Sequence, residues 1–232
     1  MSLLADARVL MALARGTGRT GSHADRLERF YGPQAADYDR FRERLLQGRH
    51  ELIDRLPVAE GARVVELGAG TGRNLEFFGE RLARFGHVYA IDLCGPLIRL
   101  ASDRMGGRAN VTCVLADATR WQPAAPVDAV YFAYALTMIP NWRVAVDNAL
   151  RMLRPGGVLG VVDFFVARHH SLLTRVVWPR WFAHDGVHLS AEQVPYLRAR
   201  LDVISQLEGR AVMPYLAGAS VPYYTVIGRK RP

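Results

Sequence analysis

The part of this chain best equipped for chemistry is Val64-Val65-Glu66-Leu67-Gly68-Ala69-Gly70-Thr71-Gly72-Arg73-Asn74, an apolar run ending in an acid and followed by glycines at alternate positions. Glycine opens backbone conformations closed to other residues and lets a ligand approach the main chain. A loop of this kind between a buried strand and a helix therefore suits a nucleoside-like cofactor. A dinucleotide loop would read G-x-G-x-x-G, whereas here the acid comes first and the order is E-x-G-x-G-x-G. Two further acids follow apolar runs in the same way. Asp92 ends His87 to Ile91, where a carboxylate at a strand tip can accept hydrogen bonds from both hydroxyls of a ribose. Asp117 stands in Ala116-Asp117-Ala118-Thr119, just after Val111 to Leu115.

Those groups need elements that bring them to one end of a sheet. The pattern predicts a strand before each acid, a helix from Asn74 to Phe85, and a fourth strand from Asp128 to Ala135. Leu136-Thr137-Met138-Ile139-Pro140 and a helix from Asn141 to Leu153 come next. Arg154-Pro155-Gly156-Gly157 is expected to close that helix with a glycine turn before a strand from Val158 to Phe165. Phe77, Phe78, Leu97, Leu100, Leu150 and Leu153 fall at helical spacing and are expected in the core. Taken singly, the glycines would be a tight turn, Asp92 a helix cap and Asp117 a turn residue. Their order along the chain is what makes them ligands.

That order resembles the class I S-adenosylmethionine methyltransferases. The resemblance implies an α/β, Rossmann-like fold: a mostly parallel seven-stranded sheet with helices on both faces and an N-terminal helical lid. It implies S-adenosylmethionine as cofactor, held by Glu66, Gly68, Ala69, Gly70, Thr71, Gly72, Asn74, Asp92, Leu93, Asp117, Ala118, Thr119 and Tyr134. Asp117 would meet the adenine amino group. Leu201 to Gly228 resembles the last two strands, with Tyr223 to Ile227 the final one, as antiparallel additions at the sheet edge.

With 232 residues, half of them apolar, the chain can bury the core of one α/β domain. We expect a single methyltransferase domain over 23–232, its lid over 23–60, preceded by a flexible or amphipathic segment over 1–22. His23 to Leu56 reads as helical with a break at Gly32-Pro33, and brings Phe30, Tyr31, Tyr38 and Phe41 ahead of the first strand. No stretch of about eighteen consecutive apolar residues occurs, and the first residues lack a signal-peptide pattern, so a soluble or peripheral protein is expected. Cys94 and Cys113 read as free thiols in a reducing, cytoplasmic setting.

The net charge is +8, and Lys230 is the only lysine. Arginine's planar donors suit phosphate and carboxylate, pointing to nucleic acid or an anionic membrane surface unless the bias is compositional. The charges are scattered, and no Asn/Asp-Pro-Pro-Tyr/Phe motif follows the fourth strand, which argues against a nucleic-acid substrate. Leu3, Leu4, Val9, Leu10, Met11 and Leu13 with Arg8 and Arg15 read either as a short helix on a membrane or as a loose terminus. His184 and His188 with Asp185 faintly suggest a metal site, but Gly186 interrupts any helix that would align them, and no metal is expected. His169-His170 reads as solvated surface ahead of a helix from Leu172 to Val177, a basic, apolar stretch that with Trp178 and Trp181 could meet a membrane.

Within the methyltransferases the chain resembles the bacterial N-methyltransferases of betaine-lipid synthesis, which convert diacylglyceryl-homoserine to diacylglyceryl-trimethylhomoserine. Three stretches carry the likeness: Tyr38 to Arg49, Tyr134 to Trp142, and Val162-Asp163-Phe164-Phe165 with Trp178 and Trp181-Phe182 beyond. An enzyme of that kind holds sulfur, methyl carbon and amine nitrogen in line, about 3 Å from attack, and excludes water. Tyr38, Tyr134, Asp163 and His184 are the candidate proton acceptors. Tyr31, Tyr38, Tyr134, Trp142 and Phe164 offer ring faces to a quaternary ammonium, and Arg42, Arg49 and Arg180 offer forks to a carboxylate. The resemblance implies a diacylglyceryl lipid substrate, a partner enzyme that makes it, and a cytoplasmic location peripheral to the inner face of the membrane. Phosphatidylethanolamine, a small-molecule N/O-acceptor, and a non-catalytic cofactor-binding or scaffold role remain alternatives.

Overall fold

A computed structural model describes residues 21–31, 43–184, 186–213 and 218–231. The segment 1–20, Tyr38, Phe41 and Arg42 lie outside the described residues. Helix α1 (His23–Tyr31) starts at a reciprocal cap in which Asp25 N–H donates to Ser22 Oγ and Ser22 N–H to Asp25 Oδ2. Helix α2 (Arg49–Arg55) leads into β1 (Arg63–Leu67), and the loop after it into short helices α3 (Arg73–Glu76) and α4 (Arg81–Arg84). Then come β2 (His87–Asp92), α5 (Gly95–Met105), β3 (Val111–Leu115), β4 (Val127–Ala133), a 3₁₀ turn over Leu136–Met138, α6 (Trp142–Met152) and β5 (Leu153–Phe164). Helices α7 (Leu172–Ala183) and α8 (Gln193–Arg200) precede β6 (Leu201–Val212) and β7 (Ser220–Lys230).

The sheet has seven strands in the order β3-β2-β1-β4-β5-β7-β6. The pairs from β3 to β5 are parallel, and β7 runs antiparallel to both of its neighbours. This is the expected Rossmann-like architecture. Strand alternation sends Val64 with Ala129, Tyr131 and Ala133 into one apolar layer, and Val65 and Leu67 with Val130 and Phe132 into the other. Each layer is covered by helices, with Leu52 and Ile53 of α2 and the following Leu56 in the first and Ala145, Val146 and Ala149 of α6 in the second. Among the described residues, no helix is long and apolar enough to cross a membrane.

Several boundaries differ from the sequence expectation for local reasons. The helix expected from Asn74 to Phe85 is two short ones, because Gly79 at φ 55° turns the chain left-handed between them. Of the helical stretch expected over 23–56, α1 and α2 are described, the expected break at Gly32-Pro33 lies outside the described residues, and Gly48 at φ 82° sits at the α2 N-terminus. Arg154 to Gly157 does not close α6. Leu153 is already extended and pairs with Val127, and the next paired positions are Val158 and Ala129, so these residues bulge out of β5. The C-terminal strands are added at the sheet edge through antiparallel pairing as expected, and β7 inserts between β5 and β6. Helix α7 runs on past Val177 through Pro179 to Ala183. Phe78, Leu97 and Leu153 are buried as expected, whereas Phe77, Leu100 and Leu150 are only partly covered.

Tyr223 of β7 links the sheet to the segment ahead of α2. A Cβ built on Gly48 would lie 2.5 Å from its ring, and one on Gly209 of β6 2.3 Å. Only hydrogen fits at either contact. We expect Gly209→Ala to destabilise the fold by about 1–3 kcal/mol through overpacking, seen as a lower midpoint in urea unfolding; an unchanged midpoint would mean that Tyr223 is loosely held.

Candidate functional site

Strand order places β2 on one side of β1 and β4 on the other, so the chain leaves β1 and β4 in diverging directions at their carboxyl ends. A cavity of about 260 Å³ opens there. Its floor is the loop after β1. Gly68 and Ala69 N–H both donate to the Ile91 carbonyl, at 2.8 and 2.9 Å, folding that loop onto the end of β2. A Cβ on Gly68 would meet the Ala135 Cβ at 2.4 Å, so glycine is what lets the loop pass the chain leaving β4. Gly70, at φ 56°, has open space where its Cβ would be, and it lines the cavity with Gly68, Ala69, Thr71 and Asn74.

The β2 tip secures the loop. Asp92 Oδ2 accepts from Gly70 N–H at 2.7 Å and Oδ1 from Cys94 N–H at 2.8 Å. A carboxylate has about four lone-pair sites, so acceptor capacity remains for a ligand. Burial pushes the Asp92 carboxyl up from its ordinary range, and the backbone donors oppose that. Asp117 holds the turn after β3, its Oδ1 accepting from Thr119 N–H at 2.8 Å and Thr119 Oγ1–H at 2.7 Å. Leu93, Asp117, Ala118 and Thr119 all line the cavity.

Glu66 and Gly72 are not at the cavity surface. Glu66 is fully buried, its Oε1 accepting from Asn74 Nδ2 at 2.6 Å and its Oε2 from the Tyr131 hydroxyl at 2.9 Å. Burial pushes its carboxyl up to about 8, against those two hydrogen bonds and the charge of Arg49. Arg49 Nη1 donates to Asn74 Oδ1 at 3.0 Å and Nε to the Leu46 carbonyl at 2.9 Å. Glu66 thus acts through Asn74, which it orients, rather than on a ligand. Gly72 caps α3 and packs against Ala101 of α5, with a built Cβ 3.1 Å away.

The remaining wall comes from α1 and the chain after β4. His23, Leu27 and Tyr31, four residues apart, turn one face of α1 into the cavity beside Cys94, Leu97 and Met138. Of these three only Tyr31 stands out in the sequence, although the i, i+4, i+8 spacing marks the shared face. Burial holds the His23 imidazole below its ordinary value and thus neutral at neutral pH. Tyr134 lines the cavity from the end of β4 with φ 57°, the one non-glycine positive φ among the described residues. Its hydroxyl donates to the Gln47 carbonyl, and its ring packs on Phe164 at 4.6 Å.

The other sequence candidates divide. Tyr31 and Arg49 line the cavity; Tyr38 and Arg42 lie outside the described residues. Trp142, Phe164, Asp163, Arg180 and His184 are not at the cavity. Trp142 is buried in α6 against Tyr196, with ring centres 5.1 Å apart, so it offers no face to a cation in the cavity. Asp163 is fully buried and accepts from Thr137 Oγ1–H at 2.7 Å, Thr137 N–H at 3.0 Å and Phe164 N–H at 2.8 Å. Burial raises its carboxyl to about 6. It positions the chain after β4 instead of taking a substrate proton. Burial and Asp163 push the Tyr134 phenol well above its ordinary value, so it stays protonated and contributes its ring, not a base. Arg180 and His184 are exposed on and beside α7, and His188 N–H donates to the Thr137 carbonyl. His170 is half-buried and its Nδ1 accepts from Ala167 N–H, so of the His169-His170 pair only His169 is the expected exposed residue.

This arrangement fits an adenosyl amino-acid cofactor: a glycine floor with open space at Gly70, a paired acceptor at Asp92, and an acid at the β3 turn.

The family described as "Methyltransferase domain" matches residues 64–157. The chain is 30% identical to a demethylmenaquinone methyltransferase of Tropheryma whipplei over 171 residues, 69% of this chain and 70% of that protein. It is 31% identical to a trans-aconitate 2-methyltransferase of Azoarcus over 53% of this chain and 47% of that one, so it spans about half the length of that curated relative. Among solved structures, phosphoethanolamine N-methyltransferase 2 of Haemonchus contortus in complex with S-adenosyl-L-methionine superposes with a TM-score of 0.73. That match covers 92% of this chain and 61% of the other at 15% identity, a likeness of fold.

Asp92→Ala should weaken S-adenosylhomocysteine binding by about 1–3 kcal/mol in calorimetry, and Gly70→Val should abolish it while the far-ultraviolet dichroism is kept; full affinity in either folded variant would remove that residue from the site. For Glu66, the folded carboxyl titrates near 8 against an ordinary 4.5. Between those values the folded state holds a proton that the unfolded state has lost, so stability falls as pH rises, by up to about 1.4 kcal/mol per pH unit. Glu66→Gln should remove this slope, so that the wild type's advantage over the variant shrinks as unfolding is followed from pH ~5 to ~8 and then levels. A pH-independent difference would show that Glu66 is ionised in the fold.

Proposed function

We propose, because the chain belongs to the class I S-adenosylmethionine-dependent methyltransferase family, that its cavity transfers the methyl group of S-adenosylmethionine to the amine of a lipid headgroup, with diacylglyceryl-homoserine as the acceptor. The observation that carries this is the make-up of the cavity beyond the glycine floor. Tyr31, Tyr134 and Met138 line it, and Tyr134 to Pro140 belongs to one of the three stretches that resemble the betaine-lipid enzymes.

The bound cofactor supplies an electrophilic methyl group on a sulfonium. What the chain's residues do is position and enclose. Asp92 and the Gly70 loop hold the nucleoside end, and Asp117 in its Thr119-braced turn meets the base. Arg49, tied to Asn74, adds positive charge to the wall where a carboxylate is to be held. The α1 face of His23, Leu27 and Tyr31 excludes water, which strengthens every polar contact inside. Each transfer forms an N–C bond, breaks the S–C bond and leaves S-adenosylhomocysteine; the ammonium gives its proton to solvent before the next transfer, and the rings of Tyr31 and Tyr134 favour the final quaternary cation.

A second reading has its own support. The Tropheryma whipplei relative is named as a demethylmenaquinone methyltransferase, and the match spans more than two thirds of both chains. One experiment separates the two. Incubation with methyl-labelled S-adenosylmethionine and either diacylglyceryl-homoserine or demethylmenaquinol should give labelled mono-, di- and trimethylated headgroup from the first and nothing from the second. Label in the quinol alone would establish the second reading; label in neither would sink both.

A further inference from the structure

We infer that helix α7 is a membrane-docking element whose outward face sits on an anionic lipid surface. The helix is apolar on two opposite sides. Thr174, Trp178 and Phe182, four residues apart, point into the protein and are buried. On the other side, Leu172, Leu173, Val176, Val177 and Trp181 form a stripe of i, i+1, i+4, i+5 and i+9 positions. Leu172 and Leu173 are 75% and 73% exposed and Trp181 51%. A helix with water on one side ordinarily turns charged residues to it, and one that is apolar all round is covered on both sides.

Charge decides what covers it. From Phe164 to His184 the chain has Arg168, Arg175 and Arg180 and no acidic residue. Arg180 rises within the stripe and Arg175 flanks it, on a chain of net charge +8. A second copy packed by two-fold symmetry would bring this arginine-bearing face against itself, with no acid on the helix to offset the repulsion. Aliphatic residues, a half-exposed Trp and flanking arginines on one helix face match the headgroup and acyl boundary of a bilayer containing anionic lipid. Arginine stems reach along apolar surface while their heads stay with the phosphates.

The buried side of the same helix leads to the cavity. Trp178 packs on Phe182 at 6.0 Å between ring centres, Phe182 on Phe164 at 5.0 Å, and Phe164 on Tyr134 at 4.6 Å. A bilayer seated on α7 would therefore lie on the element that backs the Tyr134 wall. The inference deepens the lipid-acceptor reading and rests on it for its purpose, but the docking is tested without any acceptor.

The test is co-sedimentation of the full chain with vesicles of phosphatidylcholine alone or of an equal mixture of phosphatidylcholine and phosphatidylglycerol. The wild type should bind the mixture, bind phosphatidylcholine poorly, and lose affinity as salt is added. Leu173→Glu with Val177→Glu should cut partitioning roughly tenfold or more, with S-adenosylhomocysteine binding unchanged as the check on folding. Arg175→Lys with Arg180→Lys should retain most of the binding, as charge is preserved. Wild-type protein that ignores the mixed vesicles, or a folded Leu173→Glu/Val177→Glu variant that binds them as well as wild type, would overturn the inference. So would light scattering in which that variant converts a wild-type dimer into a monomer while vesicle binding is absent. Methyl transfer to acceptor dispersed in detergent micelles reports separately on the acceptor, so that failure there leaves the docking result standing and the converse holds as well.

Discussion

Two backbone amides from different loops, those of Gly70 and Cys94, donate to opposite oxygens of Asp92, and this three-way junction holds together the crevice between diverging strands. The junction is possible because β2 is parallel to β1 in a register that sets Leu67 beside Ile91, so the glycine loop leaves β1 level with the β2 tip. The same acid then has acceptor capacity for a ligand. Binding and loop geometry are thus coupled through one carboxylate. Replacing it removes a ligand contact and also loosens the floor on which the ligand rests.

Two more buried carboxylates hold the surroundings, one under each face of the sheet. Glu66 gathers Asn74 and Tyr131 on the α2 side, and Arg49 extends that network to the cavity wall. Asp163 gathers Thr137 and the chain after β4 on the other. Burial raises both carboxyls. Groups of this type cost stability unless every polar partner is present, which makes them fixed reference points for the loops they hold. Neither reaches the cavity itself, so their effect on chemistry runs through Asn74 and Thr137.

The sheet was legible because buried parallel strands read as short apolar runs, each ending in the acid or turn that the fold uses. Val111 to Leu115 is recovered to the residue, and His87 to Ile91 needs only Asp92 added. Features that depend on backbone conformation were not. The left turn at Gly79 looks, in sequence, like one glycine inside a helix, and the Arg154 to Gly157 bulge looks like a helix cap. Insertion of β7 between β5 and β6 is set by pairing at long range. In the site, residue type pointed correctly to Asp92 and Asp117 as cavity groups. Type alone could not separate them from Glu66 and Asp163, whose oxygens are consumed internally, nor show that α1 turns His23 and Leu27 inward with Tyr31.

The crevice is organised around a nucleoside at the β2 tip, since α1 would close over it and the chain after β4 would meet its reactive end. The most direct measurement is a crystal structure of the chain with S-adenosylhomocysteine. Both ribose hydroxyls should lie within hydrogen-bond distance of the Asp92 carboxylate, the base in the Asp117–Thr119 turn, and the amino-acid end over Gly68 to Gly70. A ligand bound away from Asp92, or a chain that crystallises from saturating S-adenosylhomocysteine with the crevice free of it, would contradict this placement.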